Sequence, residues 1–156
     1  MLIVVPVILV IFILNQRLPS QDLYATSERS DNAVLVISVI DGDTFDLENS
    51  ARIRLWGVDA PEARQKCYSK SGFWMCGEHA TAFLTEKILG KKVECVAVAK
   101  DNNGRDISKC TIDEMDLSKM LVTSGWSVDW PKYSKGFYAA DEEAARAASL
   151  GIHSLN

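Results

Sequence analysis

The chain has 156 residues, 47% hydrophobic and 24% charged, with a formal net charge of −4 and a pI near 5.2. This suits one domain large enough to bury a real core, and no internal repeat or low-complexity tract interrupts it. The acidic balance argues against a chain that coats nucleic acid through a broad basic surface, while a transient, cation-assisted encounter stays compatible with it.

Met1 to Leu14 is continuously apolar, and no charge appears before Arg17. That run is short for a bilayer span but fits the hydrophobic region of a secretory signal. No basic stretch precedes it and no small-x-small cleavage site occurs before Ala25, so residues 1–18 read as a signal peptide or an uncleaved signal anchor. Residues 19–32 read as a polar linker and 33–156 as the folded domain, which is expected outside the cytoplasm, with a membrane tether if the segment is retained. A buried N-terminal helix of a cytosolic protein is the alternative.

Ala33 to Ile40 is rich in β-branched residues and stops at Asp41-Gly42, and Thr44 to Glu48 then alternates with period two, predicting strand, tight turn, strand. Arg52 to Val58 alternates as a third strand, ended by Pro61, which pushes Ala60 to an extended conformation. Glu78 to Leu89 has apolar residues at helical spacing with Gly90 as its stop. Val93 to Val98 and Ile107 to Ile112 flank a polar turn and predict a hairpin. Asp116 is a good N-cap for a helix ending at Gly125, and Tyr138 to Leu150 is an Ala-rich helix closed by Gly151.

The turn and strand ends carry the chemistry. Asp41, Asp43, Asp59, Glu62 and Arg54 fall within 22 residues of one another. Oxygen donors without Cys or His suit a hard cation such as calcium, which takes six to eight oxygens from carboxylates, carbonyls and water. Asp43 and Asp59 would supply carboxylates and Ala60 a backbone carbonyl, leaving positions open for water and a phosphate oxygen. Two protein carboxylates imply weak binding, on the order of 10⁻⁴ to 10⁻³ M. Glu62 is placed to orient or deprotonate a water, a role worth roughly 10² to 10⁴-fold. Arg54, and Arg105 from a later turn, could hold a phosphate bidentately. Taken singly, each piece also reads as an ordinary turn or surface corner.

Together these residues resemble the staphylococcal nuclease (thermonuclease) family from about Val34 to Ile152. The resemblance rests on Ile40-Asp-Gly-Asp-Thr44, Arg54-Leu-Trp-Gly-Val-Asp-Ala-Pro-Glu62, Asp101-Asn-Asn-Gly-Arg105, the segment Asp116 to Gly125, and Glu143 to Ile152. It implies a five-stranded OB-fold barrel with about three α-helices, an α+β fold, and calcium ligation by Asp43, Asp59 and the Ala60 carbonyl. It also implies Glu62 as general base, Arg54 and Arg105 as phosphate-binding catalytic residues, and Asp41 behind the metal. Three positions depart from the family pattern. Ala60 replaces a threonine, Asn103 stands where a tyrosine contacts the nucleotide, and His153 replaces a tryptophan. Trp130 or Tyr133 is then the candidate for base stacking, with packing under the last helix as the bland reading.

Four cysteines allow three pairings. If Asn102-Asn103 centres the hairpin turn, Cys95 faces Cys110 and a cross-strand disulfide is available; if Asn103-Gly104 does, the pair is diagonal and too far apart. Cys67 and Cys76 would then close a short loop after Glu62. His79 and His153 show no ligand spacing with the cysteines and read as solvent-facing or packing residues. Two functional classes follow. One is a monomeric, secreted or tethered calcium-dependent endonuclease acting on DNA or RNA with little sequence specificity and leaving 3′-phosphates. The other is a noncatalytic OB-fold module that binds nucleic acid or protein.

Overall fold

A computed structural model describes residues 32–154, so the expected signal or anchor segment lies outside the described residues. In chain order the elements are β1 Val34–Val39, β2 Thr44–Leu47, β3 Arg52–Leu55, β4 Val58–Asp59, β5 Cys67–Ser69, β6 Gly72–Trp74 and α1 Cys76–Ile88. They continue with β7 Lys92–Lys100, β8 Asp106–Ile112, β9 Met115–Asp116, α2 Leu117–Thr123, β10 Val128–Asp129, α3 Pro131–Ser134, α4 Ala139–Ala147 and a 3₁₀ turn at Gly151–His153. Among the described residues no helix is long and apolar enough to cross a membrane.

The strands form the expected closed five-stranded barrel. The order β3-β2-β1-β7-β8 is antiparallel throughout, and a parallel pairing of β3 with β8 closes it, with Ile53 opposite Asp106, Arg54 opposite Ile107 and Leu55 opposite Ser108. Closure removes the exposed strand edges that an open sheet would present. Val36, Phe45, Leu47, Ile53, Leu55 and Val93 fill the interior, each at most 3% exposed. Helix α1 adds Ala80, Leu84 and Ile88, four residues apart on one face and fully buried, and α2 adds Leu117 and Leu121. Asp116 caps α2 as its position predicts, accepting from the Lys119 backbone N–H at 3.1 Å.

Several elements differ from the sequence reading. The third strand breaks at Trp56-Gly57, where Gly57 takes φ +77°, a left-handed value open to glycine at little strain, and β4 leaves the barrel to pair with β10. A short hairpin, β5–β6, is inserted between Glu62 and α1. Helix α3 is a single turn with Pro131 at its start, where a missing N–H is harmless, and α4 ends at Ala147. The described residues thus hold four α-helices where about three were expected.

Both expected disulfides are formed, Cys67–Cys76 and Cys95–Cys110. The register that joins Cys95 to Cys110 arises in neither of the two ways foreseen. Near the turn Lys100 faces Asp106, and the register slips by one between Ala97 and Ala99 before Cys95 meets Cys110. A three-residue loop, Asn102 to Gly104, combined with a β-bulge therefore aligns the thiols. Gly104 takes φ +81° at the loop's end, as such loops require.

Candidate functional site

The Asp41-Gly42-Asp43 turn is fixed from three sides. Ile40 N–H donates to the Thr44 carbonyl at 2.9 Å, and Asp43 N–H donates to Asp41 Oδ1 at 3.0 Å. A β-carbon on Gly42 would lie 2.7 Å from the Ala60 methyl and 2.9 Å from that of Ala80, so the turn is pressed between the β4 exit and α1. This contact explains a small residue at position 60. Asp43 is 1% exposed, and its Oδ2 accepts from the Ala60 backbone N–H at 2.7 Å while Oδ1 accepts from the Thr44 hydroxyl at 3.2 Å.

Arg54 points from β3 into this corner and forms ion pairs with Asp43 through Nη1 and with Asp59 through Nη2, the latter at 2.7 Å. Its Nη2 also reaches the Val58 carbonyl at 3.4 Å, and its guanidinium lies 5.8 Å from the Trp130 ring centre. The structure therefore joins a residue expected on phosphate to both carboxylates expected on metal, a contact that sequence spacing does not reveal. Asp59 stays outward, its side chain 54% exposed. Asp41 is 7% exposed, and its burial pushes the carboxyl pKa up against the opposing pull of Thr44, Arg54 and Arg105.

Glu62 follows on the exposed rim. Its backbone N–H donates to the Gln65 side-chain carbonyl at 3.1 Å, and its carbonyl accepts from Gln65 N–H at 2.7 Å. A β-carbon at Gly77 would overlap the Glu62 carbonyl oxygen, so glycine at the start of α1 sets how closely this rim packs on the helix. Gln65 and Gly77 were not singled out in the sequence; the nearest signal was Gly77 directly after a cysteine predicted to staple the same loop.

Barrel closure brings Arg105 to the same side. Arg105 Nε donates to Asp101 Oδ2 at 2.6 Å, and the Arg105 and Asn103 backbone N–H groups both donate to Asp101 Oδ1, at 3.0 and 2.8 Å. Burial alone would raise the Asp101 pKa, but these bonds together hold it below the usual carboxylate value. Asp101 is a positioning residue the sequence reading passed over, although an Asp opening an Asn-Gly turn is the usual acceptor of such bonds.

Arg54 and Arg105 line one pocket of about 200 Å³, walled also by Asn103, Ile107, Trp130 and Tyr133. Trp130 and Tyr133 are 36% and 41% exposed and meet edge to face with ring centres 4.5 Å apart, an aromatic wall of the pocket. Neither histidine is simply solvent-facing. His79 stacks on Trp126 at 6.1 Å, and His153 is 5% exposed with its imidazole pKa lowered chiefly by burial.

The donor set fits a hard cation. Asp41, Asp43 and Asp59 present only oxygens, and Arg54 is the only cation in ion-pair contact with any of them among the described residues. No three acidic, histidine or cysteine side chains among the described residues converge as a closed cage. A cation here would take its other ligands from backbone, water and substrate, as oxygen sites with few carboxylates do.

The family model described as Staphylococcal nuclease homologue matches residues 52–154. This chain belongs to the staphylococcal nuclease family. Among curated family relatives, it is 33% identical over 118 residues to the succinoglycan biosynthesis protein ExoI of Rhizobium meliloti (strain 1021), covering 74% of this chain and 61% of that protein. It is 28% identical over 103 residues to proteins named uncharacterized endonuclease from Escherichia coli O157:H7 and Escherichia coli, covering 64% of this chain. The chain spans 61% of the length of each of these relatives.

Proposed function

We propose that this domain hydrolyses phosphodiester bonds in DNA or RNA, dependent on calcium and with little sequence specificity. The observation that carries the reading is the shared pocket, which two arginines line and in which Arg54 pairs with Asp43 and Asp59. A binding module gains nothing from placing carboxylates against a polyanion, whereas a hydrolase needs both signs of charge at the reacting phosphate.

Asp43, Asp59 and the Ala60 carbonyl would hold the calcium, with Asp41 behind them, and the ion would stabilise negative charge gathering on a phosphate oxygen. Arg54 and Arg105 bind the remaining oxygens through their planar forks and complement the charge of the transition state. Glu62 takes a proton as a water oxygen attacks phosphorus in line. The P–O5′ bond then breaks, its electron pair stays on the leaving oxygen, which solvent protonates, and the 3′-phosphate remains. Trp130 and Tyr133 receive a base, which fits weak sequence preference because every base offers a π-face. Arg54 and a cation draw on the same carboxylate oxygens, so loading the site and freeing the Arg54 fork for phosphate are coupled.

The two disulfides and the apolar N-terminal sequence support a secreted, periplasmic or membrane-tethered location in an oxidising space. The test is cleavage of single- and double-stranded DNA and RNA by the oxidised protein with calcium and then with a chelator. Cleavage in calcium alone is expected; nucleic-acid binding without cleavage would favour the noncatalytic module.

A further inference from the structure

The β5–β6 hairpin lies between the rim residue Glu62 and α1 and forms a two-stranded sheet apart from the barrel. A two-stranded hairpin is marginal in water on its own. This one is pinned from one face: Cys67 is bonded to Cys76 at the start of α1, and Trp74, opposite Cys67, packs its ring 5.5 Å from His79 and 6.3 Å from Trp126. Directly opposed residues share a face and successive residues alternate, so Tyr68 and Phe73, paired across the hairpin, occupy the other face together. They are 77% and 61% exposed. Single exposed apolar residues are common, but two large aromatics side by side on a covalently pinned hairpin form a surface.

Its charge is equally biased. From Ala63 to Gly77 the sequence carries Arg64, Lys66 and Lys70 and no acid, in a chain of net charge −4. The Lys66 ammonium sits 4.5 Å from the Phe73 ring centre. Exposed rings flanked by cations are the chemistry of a single-stranded nucleic-acid platform, in which bases stack and phosphates meet lysine and arginine.

We propose that this hairpin is a second binding surface for substrate, a finger on which Tyr68 and Phe73 stack bases of a single-stranded segment running past Glu62, while Arg64, Lys66 and Lys70 face its phosphates. The proposal rests on the nuclease reading for its choice of ligand. It places the strand on two aromatic supports, Trp130 and Tyr133 at the pocket and Tyr68 and Phe73 beyond the rim. Long single strands are then held more tightly than a dinucleotide, and more tightly than a duplex whose bases are already stacked.

The test uses the oxidised full chain with Tyr68→Ala and Phe73→Ala combined, which leaves Trp74 and the Cys67–Cys76 bond in place. Two readouts are taken: cleavage kinetics on a dodecathymidylate and on a thymidine dinucleotide, and fluorescence anisotropy of the labelled dodecamer on a Glu62→Gln background with calcium. The expected result is a rise of about ten-fold or more in KM and Kd for the dodecamer, with kcat and dinucleotide turnover each changed less than about three-fold. Unchanged dodecamer binding would overturn the finger while leaving the nuclease intact. A wild-type protein that binds the dodecamer through these rings but cleaves nothing would keep the finger and overturn the nuclease. Equal losses on dodecamer and dinucleotide would show damage to the catalytic centre and overturn the proposal. Ring-dependent binding to anionic lipid vesicles, with dodecamer binding unaffected, would overturn it in favour of a membrane surface.

Discussion

Arg54 and Arg105 face the same pocket but are held by different means. Arg54 stands in a barrel strand with its side chain 10% exposed and is bonded to two carboxylates, one of them fully buried. Arg105 stands on a hairpin turn, 29% exposed, against Asp101 alone. Removing one partner of a buried pair leaves an uncompensated charge, which is strongly destabilising, whereas a half-buried pair that solvent screens contributes less. One arginine is thus part of the charge balance of the fold and the other is only oriented by it. Substitutions should separate the two.

Arg54→Ala is expected to reduce turnover by roughly 10² to 10³-fold and to lower folding stability by about 3 kcal/mol in chelator, because Asp43 loses its cation. Added calcium should restore part of that stability, as a cation at the same carboxylates would. Urea denaturation with and without calcium, beside cleavage rates, checks both parts; unchanged stability would break the comparison at its buried end. Arg105→Ala should lower turnover to a similar degree yet shift stability by less than about 1 kcal/mol. A large loss of stability there would erase the distinction.

Asp101→Asn has the smallest expected effect and a defined pH dependence. The folded carboxyl titrates below its ordinary value of 3.8, so its contribution is fully present above that pH and lost as pH falls through the folded value. The stability gap between wild type and variant, no more than about 1 kcal/mol at neutral pH, should therefore close on acidification below about pH 4. A gap that widens in acid would contradict the assignment of Asp101 as the arginine's anchor.

The parts legible in the sequence are those whose information is local. Asp41-Gly42-Asp43 names its own turn, Pro61 ends its own strand, and Asp116 caps its own helix. The barrel strands carried enough alternation to be read, apart from the break at Gly57, where the chain turns without losing its apolar pattern. The β5–β6 strands have three residues each, too few for a period to register, and they depend on a disulfide and on Trp74 for support. Pairing of Cys95 with Cys110 was foreseen, but the bulge that aligns them was not, because a one-residue slip inside a strand leaves no composition signal. The meeting of Arg54 with Arg105 in one pocket is a product of closure between β3 and β8, strands separated by some fifty residues. No pattern within a window of sequence contains that contact.

The most direct test of the central claim is cleavage of single-stranded DNA in calcium by the wild-type chain and by Glu62→Gln, a substitution on the exposed rim that keeps the Gln65 backbone contacts. Calcium-dependent cleavage by the wild type is expected, reduced roughly 10² to 10⁴-fold in the variant with the fold and DNA affinity retained. Equal rates in the two proteins, or cleavage that persists in chelator, would contradict it.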